Sequence, residues 1–161
     1  MIVALLHRLL PDLARDTRGV SVIELALTAP FLGFLVMGVT DLARGYASKL
    51  NLEQAAHRAL EKAAVGTVQS DYSYLQAEAA TAAGVPAANV TVTTWLECDR
   101  VVQPAFDGVC TGTAMVSRYV RVTVNSTFRP SFNYSKLGYN VFGISAGGTL
   151  AQSGSAALRV Q

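Results

Sequence analysis

The chain is predicted to be an α+β protein. A long N-terminal transmembrane helix continues into a soluble domain with a second helix and a small antiparallel β-sheet. Three observations predict this. Val20 to Val39 is an apolar run whose single charge is Glu24. A helical period persists from Asp41 to Val65. Beyond Asn89 the apolar residues recur at a period of two.

The first element is the run itself. Its length suffices for a helix to cross a bilayer at about 1.5 Å per residue. Eleven Leu, Ile, Val or Phe residues lie within it, and together they favour insertion by about 3 to 6 kcal/mol. A central charge opposes insertion by about 2.5 to 3.5 kcal/mol, and less when it lies near one end as Glu24 does. Insertion wins. The run is too long for a signal-peptide core, and no Ala-x-Ala cleavage site closes it.

After the span, Leu42, Tyr46 and Leu50, then Leu52, Ala56, Ala59, Leu60 and Ala63, recur at helical spacing, and Gly66 is a stop. With no strong breaker between Pro30 and Gly66, span and extension read as one long helix. A second helix is expected from about Asp71 to Ala83, capped by Ser70 or Asp71 and ended by Gly84 and Pro86. Val90, Val92 and Thr94 alternate with Thr91, Thr93 and Trp95 as a first strand. Val120, Val122 and Val124 mark a second, and Phe142, Ile144 and Ala146 a third. Such alternation suits an antiparallel sheet covered on one face, here by the soluble half of the long helix.

Composition excludes several classes. With 51% hydrophobic and 15% charged residues, the chain is not a disordered tail. A net charge of +2 without a basic cluster gives no case for nucleic acid as a partner. Basic residues flank the span evenly, with Arg8, Arg15 and Arg18 before it and Arg44, Lys49 and Arg58 after it, so charge does not orient it. The two cysteines do. Cys98 and Cys110 bracket a Pro- and Gly-containing loop. A disulfide there is favoured over two separate thiols, and a metal site would need more ligands than two cysteines. An oxidising compartment places the C-terminal part outside the cytoplasm. Membrane lipid is then the first expected partner. His7 and His57 form no catalytic constellation, no phosphate- or dinucleotide-binding motif occurs, and no cofactor is expected.

Residues 1–19 are polar and partly basic, and end in Gly19 directly before the span. They read as a cytoplasmic leader that is cleaved off, followed by a transmembrane helix over 20–40 and an extracytoplasmic domain over 41–161. Gly19-Val20-Ser21-Val22-Ile23-Glu24 resembles a type IV prepilin cleavage site, a glycine followed by an apolar segment with glutamate fifth. With Leu25-Ala26-Leu27, Pro30 and Phe31-Leu32, the stretch is similar to the TadE-like pseudopilins of the tight-adherence (Tad, Flp-type) pilus system. Farther on, Phe128-Arg129-Pro130-Ser131-Phe132 and Ile144-Ser145-Ala146 look like the proline-aromatic turn and final strand of such domains.

The resemblance implies a pilin-like fold and a minor pilin or pseudopilin without catalytic activity. A prepilin peptidase would process it between Gly19 and Val20, and other minor pilins and Tad assembly proteins would be its partners in a pilus used for adhesion. It further implies a single-pass protein of the bacterial cytoplasmic membrane with a cytoplasmic N-terminus. Cleavage would free an amine on Val20 with a pKa of about 7.7 to 8.0, mostly cationic at neutral pH. That ammonium and the Glu24 carboxylate of a neighbouring subunit would attract in a low-dielectric bilayer and set the register of stacked spans. Pro30 would kink the span. The alternative is an unprocessed, single-pass, membrane-anchored binding protein in which Glu24 snorkels to the interface.

Overall fold

A computed structural model describes residues 20–65, 71–132 and 148–161. Helix α1 runs Val20–Val65 and α2 Tyr74–Ala83; a 3-10 turn at Ala87–Asn89 leads into the strands. These are β1 Val90–Cys98, β2 Val101–Gln103, β3 Val116–Phe128 and β4 Leu150–Arg159. The chain divides into two compact units, one ending at Thr40 and the other comprising Asp41–Gln161.

In the first unit the described residues are helical throughout, and their side chains from Ser21 on are almost all exposed. Thr28 and Thr40 turn their hydroxyls back onto the carbonyls of Glu24 (3.0 Å) and Val36 (2.8 Å). Hydroxyls within an apolar helix are thereby satisfied without water.

The second unit is the α+β domain. Its sheet has the order β2-β1-β3-β4 with every pairing antiparallel. Leu52, Ala56, Ala59, Leu60 and Ala63 of α1 and Leu75, Ala79 and Ala80 of α2 enclose the core with Val90, Val120, Val122, Val124 and Ala156 of the sheet. Alternation explains the strands: Val120, Val122 and Val124 are buried on one side of β3, while Arg121 and Asn125 on the other stay exposed.

Several expectations need correction. On α1 the buried positions are Asp41, Gly45, Leu52, Ala55, Ala56, Ala59, Leu60 and Ala63. Leu42 and Tyr46, part of the apolar period, are 62% and 65% exposed. The reason is close approach. A Cβ on Gly154 would lie 2.4 Å from the Glu53 nitrogen, and one on Gly45 3.3 Å from the Phe128 ring. Helix α1 rests on the sheet through Gly45 and its buried alanines together with Leu52 and Leu60, while Leu42 and Tyr46 face away.

Helix α2 begins at Tyr74, three residues later than expected. Asp71 holds the preceding turn instead, accepting from the Ser73 backbone N–H and hydroxyl, both at 2.8 Å. Those two bonds, the backbone one first, hold the Asp71 carboxyl below its ordinary range. Gly84 does end the helix, in the left-handed conformation at φ 67°, with the Val85 N–H closing onto Ala80 O. The third strand expected at Phe142, Ile144 and Ala146, and the Gly66 stop, lie outside the described residues. Strands β2 and β4 were not expected.

Candidate assembly segment and its supporting contacts

Glu24 lies in the second turn of α1, and Pro30 sits six residues further along the same helix. Neighbouring Val22, Ile23, Leu25 and Leu27 are 63 to 74% exposed. Among the described residues the Glu24 carboxylate has no hydrogen-bond or ion-pair partner, so it is an available acceptor on an apolar surface. Val20 is the first residue of the helix, and Gly19 lies outside the described residues. Pro30 lacks an N–H, which leaves the Ala26 carbonyl without its usual helical donor. The segment is long and apolar enough to cross a membrane.

A second constellation, at the start of the Asp41–Gln161 unit, escaped the sequence reading. Asp41 is 4% exposed. Its Oδ1 accepts the Ser131 N–H at 2.8 Å and its Oδ2 accepts the Phe132 N–H at 3.1 Å. Arg44 stands 3.9 Å from the same carboxylate and donates to the Ser131 hydroxyl. The proline-aromatic turn is thus tied by its backbone to a carboxylate ninety residues earlier in sequence. An acidic residue after an apolar run was the only available signal, and it does not name its partner. Asp41→Ala orphans two N–H groups and is expected to destabilise the unit by about 2 to 4 kcal/mol. Asp41→Asn, which keeps one acceptor, is expected to lose less. Thermal unfolding followed by circular dichroism in one detergent ranks the two, and equal midpoints for Asp41→Ala and the unsubstituted protein would remove the clamp.

Cys98 and Cys110 form the expected disulfide, with Cα atoms 5.6 Å apart. Arg118 supports the loop it closes, Nε donating to Phe106 O at 3.1 Å and Nη2 to Gly108 O at 2.9 Å. At the hairpin apex Asp99 and Arg100 both adopt positive φ, 50° and 68°, as a two-residue turn with two left-handed positions requires. Asp99 is held there by accepting the Met115 N–H at 2.8 Å. Replacing both cysteines by serine is expected to cost about 3 kcal/mol in the chain-entropy account. Denaturant titration measures it, and an unchanged midpoint would mean that the Arg118 contacts alone hold the loop.

Among the described residues no cluster of three His, Cys, Asp or Glu could hold a metal ion. His57 is exposed on α1, away from any such group.

A family model matches most of α1, the apolar segment with Glu24 and much of its extension into the second unit. Residues 19–60 match the family model of TadE-like proteins. No curated protein and no solved structure matches the chain. The TadE-like match covers Glu24, Pro30 and Asp41, and stops before α2 and the sheet. The matched family suggests a Tad pilus-associated pilin.

Proposed function

We propose that the chain is a minor pilin or pseudopilin, processed by a prepilin peptidase between Gly19 and Val20, that supports assembly of a Tad-type pilus used in adhesion. The supporting observation is the Glu24 carboxylate, without a partner among the described residues, on an exposed apolar helix, within the segment that matches the TadE-like family and five residues after Gly19. In a bilayer an unpaired carboxylate is costly, and a cation on a neighbouring helix relieves that cost. Cleavage generates such a cation, the new Val20 ammonium. The pair acts as a register device between spans: its formation offsets desolvation, and a mismatch leaves two buried charges unpaired. Other minor pilins and Tad assembly proteins are the partners this device would select, with the Asp41–Gln161 domain outside the cytoplasm.

The deciding experiment is N-terminal sequencing or intact-mass measurement of the protein extracted from membranes of cells that hold the peptidase. A chain starting at Val20 is expected. One that still starts at Met1 would leave the unprocessed membrane-anchored reading in its place.

A further inference from the structure

The helices cover one face of the four-stranded sheet, and the opposite face is polar. On that face the register sets Trp95 opposite Tyr119, with Arg159 beyond it on β4. In the next row Thr93 stands opposite Arg121. The Trp95 and Tyr119 rings are stacked, centroids 5.1 Å apart and planes 13° from parallel. The Arg121 guanidinium lies over Trp95, its central carbon 5.1 Å from the ring centroid. The Trp95 N–H is spent on Glu97, at 2.8 Å. Arg118 and Arg159 both donate to backbone carbonyls. Arg121 is exposed, and among the described residues it makes no hydrogen bond or ion pair. Its plane is oriented by the ring while its N–H edge stays open.

We propose that this face binds an acidic polysaccharide, with Arg121 as the fork for its carboxylates and the flanking Thr93 and Thr123 hydroxyls as partners for its sugar hydroxyls. A stacked guanidinium presents parallel donors that match a carboxylate and loses little freedom on binding. Charge complementarity favours an anion: the two cations Arg121 and Arg159 lie on this face against the one carboxylate of Glu97, which the Trp95 N–H holds aside. A protein partner fits less well, because protein interfaces need an apolar centre: the Trp95 and Tyr119 rings in the row on one side of Arg121 are half-buried and stacked on each other, and its own row and the next carry threonine, serine and alanine. Single-stranded nucleic acid also fits less well. Its bases need free aromatic faces, whereas Trp95 already stacks with Tyr119 and Arg121. One such site binds weakly, and many copies along a filament or membrane would raise retention through avidity. The inference concerns the Asp41–Gln161 unit alone and does not rest on cleavage at Gly19.

The test uses the full chain in nanodiscs over immobilised polygalacturonate, dextran and oligothymidylate. Binding to polygalacturonate that weakens with rising salt is expected, with none to dextran. Arg121→Gln is expected to weaken it by about tenfold or more, and Arg121→Lys, which keeps the charge without the fork, by an intermediate factor. Both variants should melt at the temperature of the unsubstituted protein. Absence of polygalacturonate binding, equal binding by Arg121→Gln, or tighter binding to oligothymidylate overturns the proposal.

Discussion

Gly154→Ala is expected to unfold the Asp41–Gln161 unit or lower its melting temperature by many degrees. The added methyl would stand 2.4 Å from the Glu53 nitrogen and 2.5 Å from the Leu52 carbonyl carbon. Both are backbone atoms inside a helix and cannot rotate aside. Relief requires α1 to lift from β4, which would loosen the contacts of Leu52 and Ala56 with the sheet. Overpacking in a tight core costs about 1 to 3 kcal/mol even when side chains can adjust. Here the backbone must move, so the upper end or more is expected, a large share of the 5 to 15 kcal/mol that roughly holds a domain together. Ser153→Ala, one residue away and exposed, is the matched control and should change little. Parallel thermal melts of the two variants decide it, and a Gly154→Ala midpoint equal to that of Ser153→Ala would refute the close contact.

Glu24→Ala is expected to leave membrane insertion intact and to abolish co-isolation with other pilus components. Removing the carboxylate makes the span more apolar, so insertion is if anything favoured. On the proposed reading, what is lost is the counter-charge for a neighbour's Val20 ammonium. Stripping one partner from a buried pair costs about 3 to 5 kcal/mol, which at tenfold per 1.4 kcal/mol is a factor of a hundred or more in association. Glu24→Gln separates charge from hydrogen bonding and should resemble Glu24→Ala if charge dominates. Membrane fractionation measures the first effect, and affinity pull-down with counts of surface pili measures the second. Normal piliation in Glu24→Ala cells would strip Glu24 of its assigned role.

The parts of this fold that were legible in the sequence are those whose cause is local. Gly84 closes α2 because a left-handed residue is needed there, and the alternating valines of β1 and β3 report a face that is buried. The disulfide was legible because only two cysteines exist. Strand β4 was not, because its buried positions include Gly154 and Ala156, selected for closeness to α1 and lacking the bulk that makes alternation visible. The same closeness misleads on α1, where Leu42 and Tyr46 are conspicuous and exposed while Gly45 and Ala56 are inconspicuous and buried. At the candidate site, Glu24 is conspicuous because every neighbour in its apolar run is uncharged. Asp41 is not, since its meaning depends on a turn ninety residues away.

The clamp at Asp41 has a practical consequence for making a soluble version of this domain. Its acceptor is a side chain but its donors are peptide groups, so sequence changes at positions 131 and 132 can spare it while a change at 41 cannot. A truncation that removes the apolar helix down to Leu42 or beyond would discard the latch and release the turn that it secures. The shortest fragment worth expressing therefore starts no later than Asp41, and a few residues upstream are needed to keep that carboxylate inside a helical turn instead of at a frayed end.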